Sequence, residues 1–200
     1  RSTFFKTYRS MATNPGAMDK LYRVWAKELS IEKLSFSEDD YIKLAYELML
    51  KHPGNPDTVR KRQLKRIRSK ERKEAFRFVC PALQKDQQAR DRFFRSLLEE
   101  ENREKEPWVS RALHYLNHPL RSKHSEKYIE PALEELKEIQ RTGDIFFPKS
   151  WLDATLWGHS SPEAAQTVRQ FLEDHPRYPE NLKNKILQSA DPLFRAVQGI

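Results

Sequence analysis

The chain has 200 residues, of which 38% are hydrophobic and 33% charged, with 5 Gly, one Cys and a formal net charge of +8. That balance is too apolar for a disordered chain, and no run approaches the roughly 18 consecutive apolar residues of a spanning helix, so no membrane partner is expected. A single cysteine excludes an internal disulfide.

Helical signals begin at once. Phe4, Phe5 and Tyr8 follow a first residue, Arg1, that is not Met, and residues 1–13 read as the end of a helix whose beginning lies upstream. The expectation is therefore a fragment, 1–200, forming a single C-terminal helical domain of a longer protein. Pro15 opens a stretch in which Met18, Leu21, Tyr22 and Trp25 recur on one helical face. Ser37-Glu38-Asp39-Asp40 is a capping-type start for a helix bearing Tyr41, Leu44, Ala45, Leu48 and Met49. His52-Pro53-Gly54 stops it, and Asn55-Pro56 supplies a cap and first-turn proline for the next.

The same punctuation recurs at Glu106-Pro107, Ser161-Pro162 and Asp191-Pro192, each placing proline where a helix would begin. Its missing N–H has no intrahelical partner there. Between these marks lie further apolar faces, among them Val109, Ala112, Leu113 and Leu116, then Ile129, Leu133, Leu136 and Ile139. Cys80, in Phe78-Val79-Cys80-Pro81-Ala82-Leu83, reads as a small core residue. In Thr142-Gly143-Asp144-Ile145-Phe146-Phe147-Pro148, Gly143 is expected to cap a helix in the left-handed conformation, with Phe146 and Phe147 plugging the core. No strand pattern interrupts the series. The expected fold is all-α, with about eleven short antiparallel helices starting about every eighteen residues, so that a pair spans about forty, the HEAT or armadillo period. A compact irregular bundle is the alternative. Each helix is too short to stand alone and must stack on neighbours.

The excess charge is local. Residues Arg60 to Arg77 carry ten Lys/Arg and two Glu, leaving 27 basic and 27 acidic side chains elsewhere. Two uses compete: a surface for nucleic-acid phosphates, or a solvated face beside a buried stripe of Val59, Leu64 and Ile67. Aromatic side chains that would stack on bases are absent from Arg60 to Ala75, which weakens the nucleic-acid reading. A basic groove facing another domain or an anionic substrate is favoured.

Two motifs imitate catalytic ones. His114 and His118 stand at i and i+4, as a helical metal pair would, but Tyr115 occupies the position of the general-base Glu, and Pro119 biases His118 out of the helix. Gly16-Ala17-Met18-Asp19-Lys20 resembles an aminopeptidase amine-binding segment, yet it sits at a helix start and lacks the Asn. No Ser lies in a Gly-flanked nucleophile turn, and no Gly-rich loop could cradle phosphate. Neither catalytic residues nor metal ligands nor a cofactor site are assigned.

Several segments together carry a resemblance. They are Tyr8-Arg9-Ser10-Met11-Ala12-Thr13, Phe78 to Leu83, Asn102-Arg103-Glu104-Lys105-Glu106-Pro107-Trp108-Val109, His118-Pro119-Leu120-Arg121, Gly143 to Leu152, and Asp191-Pro192-Leu193-Phe194. Their order and spacing resemble the C-terminal helical domain of the aminopeptidase N-like (gluzincin) zinc metallopeptidases, particularly a bacterial branch. The resemblance implies an enzyme that removes N-terminal residues from peptides, with its zinc site (H-E-x-x-H plus a further Glu) in a catalytic domain before Arg1. It also implies a HEAT-like, right-handed superhelix that caps the active-site cavity and limits substrate access. The implied partners are that intramolecular catalytic domain and peptide substrates. On this reading Arg66, Arg103 and Arg121 are the candidates to line the cavity, since a guanidinium binds a peptide carboxylate through two hydrogen bonds. The competing expectation for Arg103 is an ion pair with Glu106. The alternative function is a helical-repeat scaffold that binds protein or nucleic acid through residues 60–77.

Overall fold

The computed structural model describes residues 2–199, and every regular element among them is helical, with no strand. The all-α expectation holds. Two compact units divide the chain, residues 1–86 and 87–200. No helix of the described residues is long and apolar enough to cross a membrane.

The first unit contains α1 (Ser2–Met11), α2 (Pro15–Ala26), α3 (Glu38–Lys51), α4 (Pro56–Arg66) and α5 (Lys70–Val79). Its boundaries follow local chemistry. Asn14 caps α2 by accepting from the Ala17 N–H at 2.8 Å. Ser37 and Asp40 form a reciprocal capping box at the start of α3, which satisfies donors that have no intrahelical acceptor. Asn55 and Pro56 open α4. Helix α3 packs on α1, α2 and α4, and its Leu44, Ala45 and Tyr46 are completely buried. Cys80 lies buried in the short turn of 3-10 helix after α5, where burial pushes its thiol up to about 12. It is an inert core residue, as expected.

The second unit contains α6 (Gln87–Ser96), α7 (Glu106–Leu116), α8 (Ser122–Ser125), α9 (Ile129–Glu134), α10 (Leu136–Thr142), α11 (Phe147–Leu156), α12 (Pro162–Asp174) and α13 (Glu180–Gln198). Helix α11 packs on α7, α9, α10 and α13. Trp151, fully buried, donates its indole N–H to the Ala132 carbonyl at 3.0 Å. Its neighbours thus come from both earlier and later in the chain.

Three local expectations are corrected. Asp191-Pro192 starts no helix; Pro192 lies inside α13. An internal proline costs about 3 kcal/mol, but here the ring is exposed. Around it the buried Ser189, Ala190 and Leu193 hold the helix against α11 and α12. Gly143 ends α10 with φ −93°, not in the left-handed region. Its lack of a side chain matters sterically: a Cβ would meet Phe147 Cδ1 at 2.6 Å and the Ile139 carbonyl oxygen at 2.9 Å. Phe147 does enter the core, but Phe146 is 74% exposed. Adjacent residues entering a helix point in different directions, so one of the pair is left outside.

Candidate functional site

The basic stretch divides by side-chain type. Val59, Gln63 and Ile67 are buried, while Leu64 is only half-buried, so the expected apolar stripe is corrected at its centre. Gln63 is 1% exposed and accepts the Trp25 indole N–H at 2.7 Å. The arginines flanking it turn inward. Arg66 Nη1 donates to the Trp25 carbonyl at 2.7 Å, and Arg62 Nη2 to the Ala26 carbonyl at 3.3 Å. Both guanidinium groups also lie over the Trp25 ring, at 4.9 and 5.2 Å from its centroid. These carbonyls are the last of α2, the negative end of its dipole, so two cations from α4 cap it. Lys27 follows in the left-handed conformation at φ 66°, and its Nζ sits 5.1 Å from the Tyr41 ring centroid.

A cleft of about 230 Å³ opens here, lined by Lys27, Phe36, Glu38, Tyr41, Gln63, Arg66 and Arg68. Phe36 and Tyr41 make its aromatic wall, with ring centroids 5.8 Å apart. Glu38 is committed to the fold. It accepts the Arg68 backbone N–H at 2.9 Å and an Arg72 guanidinium N–H at 3.1 Å, and the Arg68 bond leads in holding its carboxyl below the ordinary range. Burial, then the neighbouring Arg62 charge, lowers the Arg66 pKa. The cleft therefore presents Lys27, Arg66 and Arg68 with a single carboxylate already bonded. That chemistry suits a small anionic group joined to an apolar or aromatic side chain.

Arg103 and Arg121 lie in the second unit. Arg103 is 4% exposed. Its Nη1 donates to the Leu97 and Leu98 carbonyls and to Glu135 Oε1, the last at 3.1 Å. Glu135, not Glu106, is thus its ion-pair partner. Glu106 instead accepts the Asp144 backbone N–H at 2.8 Å, tying the start of α7 to the loop before α11. Burial pushes the Arg121 guanidinium down to about 10, with the nearby Arg90 charge adding to it. Close by, Asp91 accepts from Gln87, Lys127 and Tyr128, and these bonds hold it at about 2 against the opposing effect of burial.

The paired histidines have structural partners. His114 stacks on Trp157 with centroids 3.8 Å apart, while His118 Nδ1 accepts the Leu120 N–H. No group of three or more metal-ligating side chains among the described residues is arranged to hold an ion. Sequence reading also missed His159, which is 4% exposed and bonded through Nε2 to Asn117 Oδ1 at 3.2 Å. Asn117 Nδ2 donates to the Leu113 carbonyl, so its oxygen faces the imidazole and His159 carries its proton on Nε2. No signal in the linear chain links residues 42 positions apart. Likewise nothing flags Lys27 or Gln63, although the capping box does locate Phe36 and Tyr41 beside a helix start.

No family model, curated protein or solved structure matches the chain.

Proposed function

We propose that this chain is a non-catalytic helical domain that serves a peptide-handling enzyme, and that the cleft at Arg66 receives the carboxylate end of a peptide. The observation that carries this is the fixed guanidinium of Arg66. It is anchored to the Trp25 carbonyl and lines the cleft together with Lys27, Arg68, Phe36 and Tyr41. Anchoring lowers the entropy lost when such a fork binds a carboxylate.

The enzymatic half rests on resemblance. The parent would be a zinc aminopeptidase of the aminopeptidase N-like class, with zinc held before Arg1, and this domain would cap its cavity and limit access. The HEAT-like superhelix finds support in the sequential packing of α2, α3 and α4; the second unit, centred on α11, favours an irregular bundle.

The cleft is tested by calorimetry of the chain with a short peptide ending in an aromatic residue, its C-terminus either free or amidated. Free-acid binding that is lost on amidation, and weakened about tenfold by Arg66→Lys, is the expected result. Equal binding of acid and amide would exclude the carboxylate role. The enzymatic half is tested by the parent reading frame: H-E-x-x-H followed by a further Glu supports it, and an unrelated preceding domain removes it.

A further inference from the structure

Once the arginines of α4 are assigned to the fold, a second set of cations in the same stretch has no structural task. Lys61 and Lys65 stand one turn apart on α4, and Lys70, Lys73 and Arg77 recur at i, i+3 and i+7 on α5. Lys61, Lys65, Lys70 and Arg77 are exposed and Lys73 is half-buried. On each helix these positions lie opposite the buried residues, Val59 and Gln63 on α4 and Ala75, Phe76 and Val79 on α5. None of the five forms an ion pair or side-chain hydrogen bond among the described residues, whereas Arg60, Arg62, Arg66 and Arg72 each do.

The division into units sharpens the asymmetry. Residues 1–86 carry 20 Lys/Arg against 11 Asp/Glu, and residues 87–200 carry 17 against 18. The first unit is therefore +9 and the second −1. The five cations outnumber Glu71 and Glu74, the exposed carboxylates of α5, so these two helices keep a net positive face that attracts a polyanion. Lys65 and Lys70 are five positions apart, with four residues between them, a span of at most roughly 18 Å, so the two groups lie close together. Along α5 the rise places Lys70 and Arg77 about 10 Å apart.

We infer that the outward face of α4 and α5 binds the phosphate backbone of nucleic acid without regard to sequence. The choice of partner follows from what accompanies the charges. No large apolar side chain is exposed on α4 or α5, so the face lacks the anchors by which a helix inserts into a lipid surface. The absence of an exposed aromatic ring counts against stacking on the bases of a single strand and leaves only the phosphates of a duplex as the contact. Charge without either feature suits phosphate contacts alone. This face is separate from the cleft at Arg66, and its use does not depend on the peptide reading.

Fluorescence anisotropy with a labelled 20-base-pair duplex, over 50–200 mM salt, tests it. Five phosphate contacts give a slope of log K against log salt of about −4.5, a loss of roughly 500-fold across that range. The triple variant Lys61→Gln, Lys65→Gln, Lys70→Gln should reduce the slope by about 2.7. Lys6→Gln, Lys20→Gln, Lys33→Gln removes equal charge from exposed sites of the same unit and should leave the slope within about 0.5 of the parent value. Equal losses in both triples would overturn the assignment of this face. So would absent duplex binding at 50 mM salt, or binding to phosphatidylserine vesicles in preference to the duplex.

Discussion

Replacing Gly158 with alanine tests how the second unit is assembled. A Cβ at this position would lie 1.8 Å from the Asn117 carbonyl oxygen, 2.9 Å from its carbon and 3.0 Å from Pro119 N. All three are backbone atoms, so no side-chain rotation relieves the clash. Ordinary contact needs about 3.5 Å, and the end of α7 must therefore move by more than an ångström from the turn after α11. Two bonds span that junction, His159 Nε2 to Asn117 Oδ1 at 3.2 Å and Trp157 Nε1 to the His114 carbonyl at 2.9 Å. Overpacking costs about 1–3 kcal/mol and a lost buried hydrogen bond about 1 kcal/mol more. Gly158→Ala should thus destabilise by about 3 kcal/mol, or about 6–12 °C in the melting temperature of a chain of this size. Thermal and urea unfolding followed by far-ultraviolet circular dichroism measure it. Gly16→Ala is the control, because its nearest neighbour would be Asn14 Oδ1 at 3.7 Å. It should be neutral or stabilising by up to about 1 kcal/mol, since alanine is the better helix former. A Gly158→Ala protein within about 0.5 kcal/mol of the parent would refute the close backbone approach and the packing of α7 on α11 derived from it.

Three further outcomes are expected. Gln63→Leu leaves the buried Trp25 indole N–H without an acceptor and should cost about 1–3 kcal/mol in urea unfolding; an unchanged midpoint would place that N–H against another acceptor. Arg103→Ala strips the partly buried Glu135 carboxylate of its cation and should cost about 3–5 kcal/mol, while adding Glu135→Gln recovers part of the loss. Strict additivity in that double-mutant cycle would deny the ion pair. His159 is neutral in the fold, with burial pushing its pKa from 6.5 down to about 4. The unfolded chain binds the extra proton between those values, so stability is complete above about pH 6.5 and falls by about 3 kcal/mol as pH drops towards 4. Asp91, held at about 2, adds its loss only below about pH 4, outside this window. Burial depresses His114 to about 4 as well, so His159→Gln should remove about half of the total decline between pH 6.5 and 4, and a slope unchanged by the substitution would assign the whole effect to His114 or another group.

The sequence by itself determined what depends on near neighbours. The caps at Ser37 and Asn55, the buried faces of α3, α7, α9 and α10, and the inert Cys80 follow from side chains and backbone groups within a few residues of one another, and helix periodicity reports them directly. The local surplus of charge between Arg60 and Arg77 was equally legible, and it led to Arg66. Tertiary structure decided which cations that surplus leaves free. Arg62 and Arg66 turn inward because α2 ends beside α4 and offers carbonyls and the Trp25 ring, a juxtaposition set some forty residues away along the chain. Pro192 stays helical because packing on α11 and α12 outweighs a missing backbone bond. Arg103 meets Glu135 rather than Glu106 for the same reason. A buried charge or polar atom takes whichever partner the assembled core brings within bonding distance, and that distance is a property of the packing, which residue spacing in the chain does not encode.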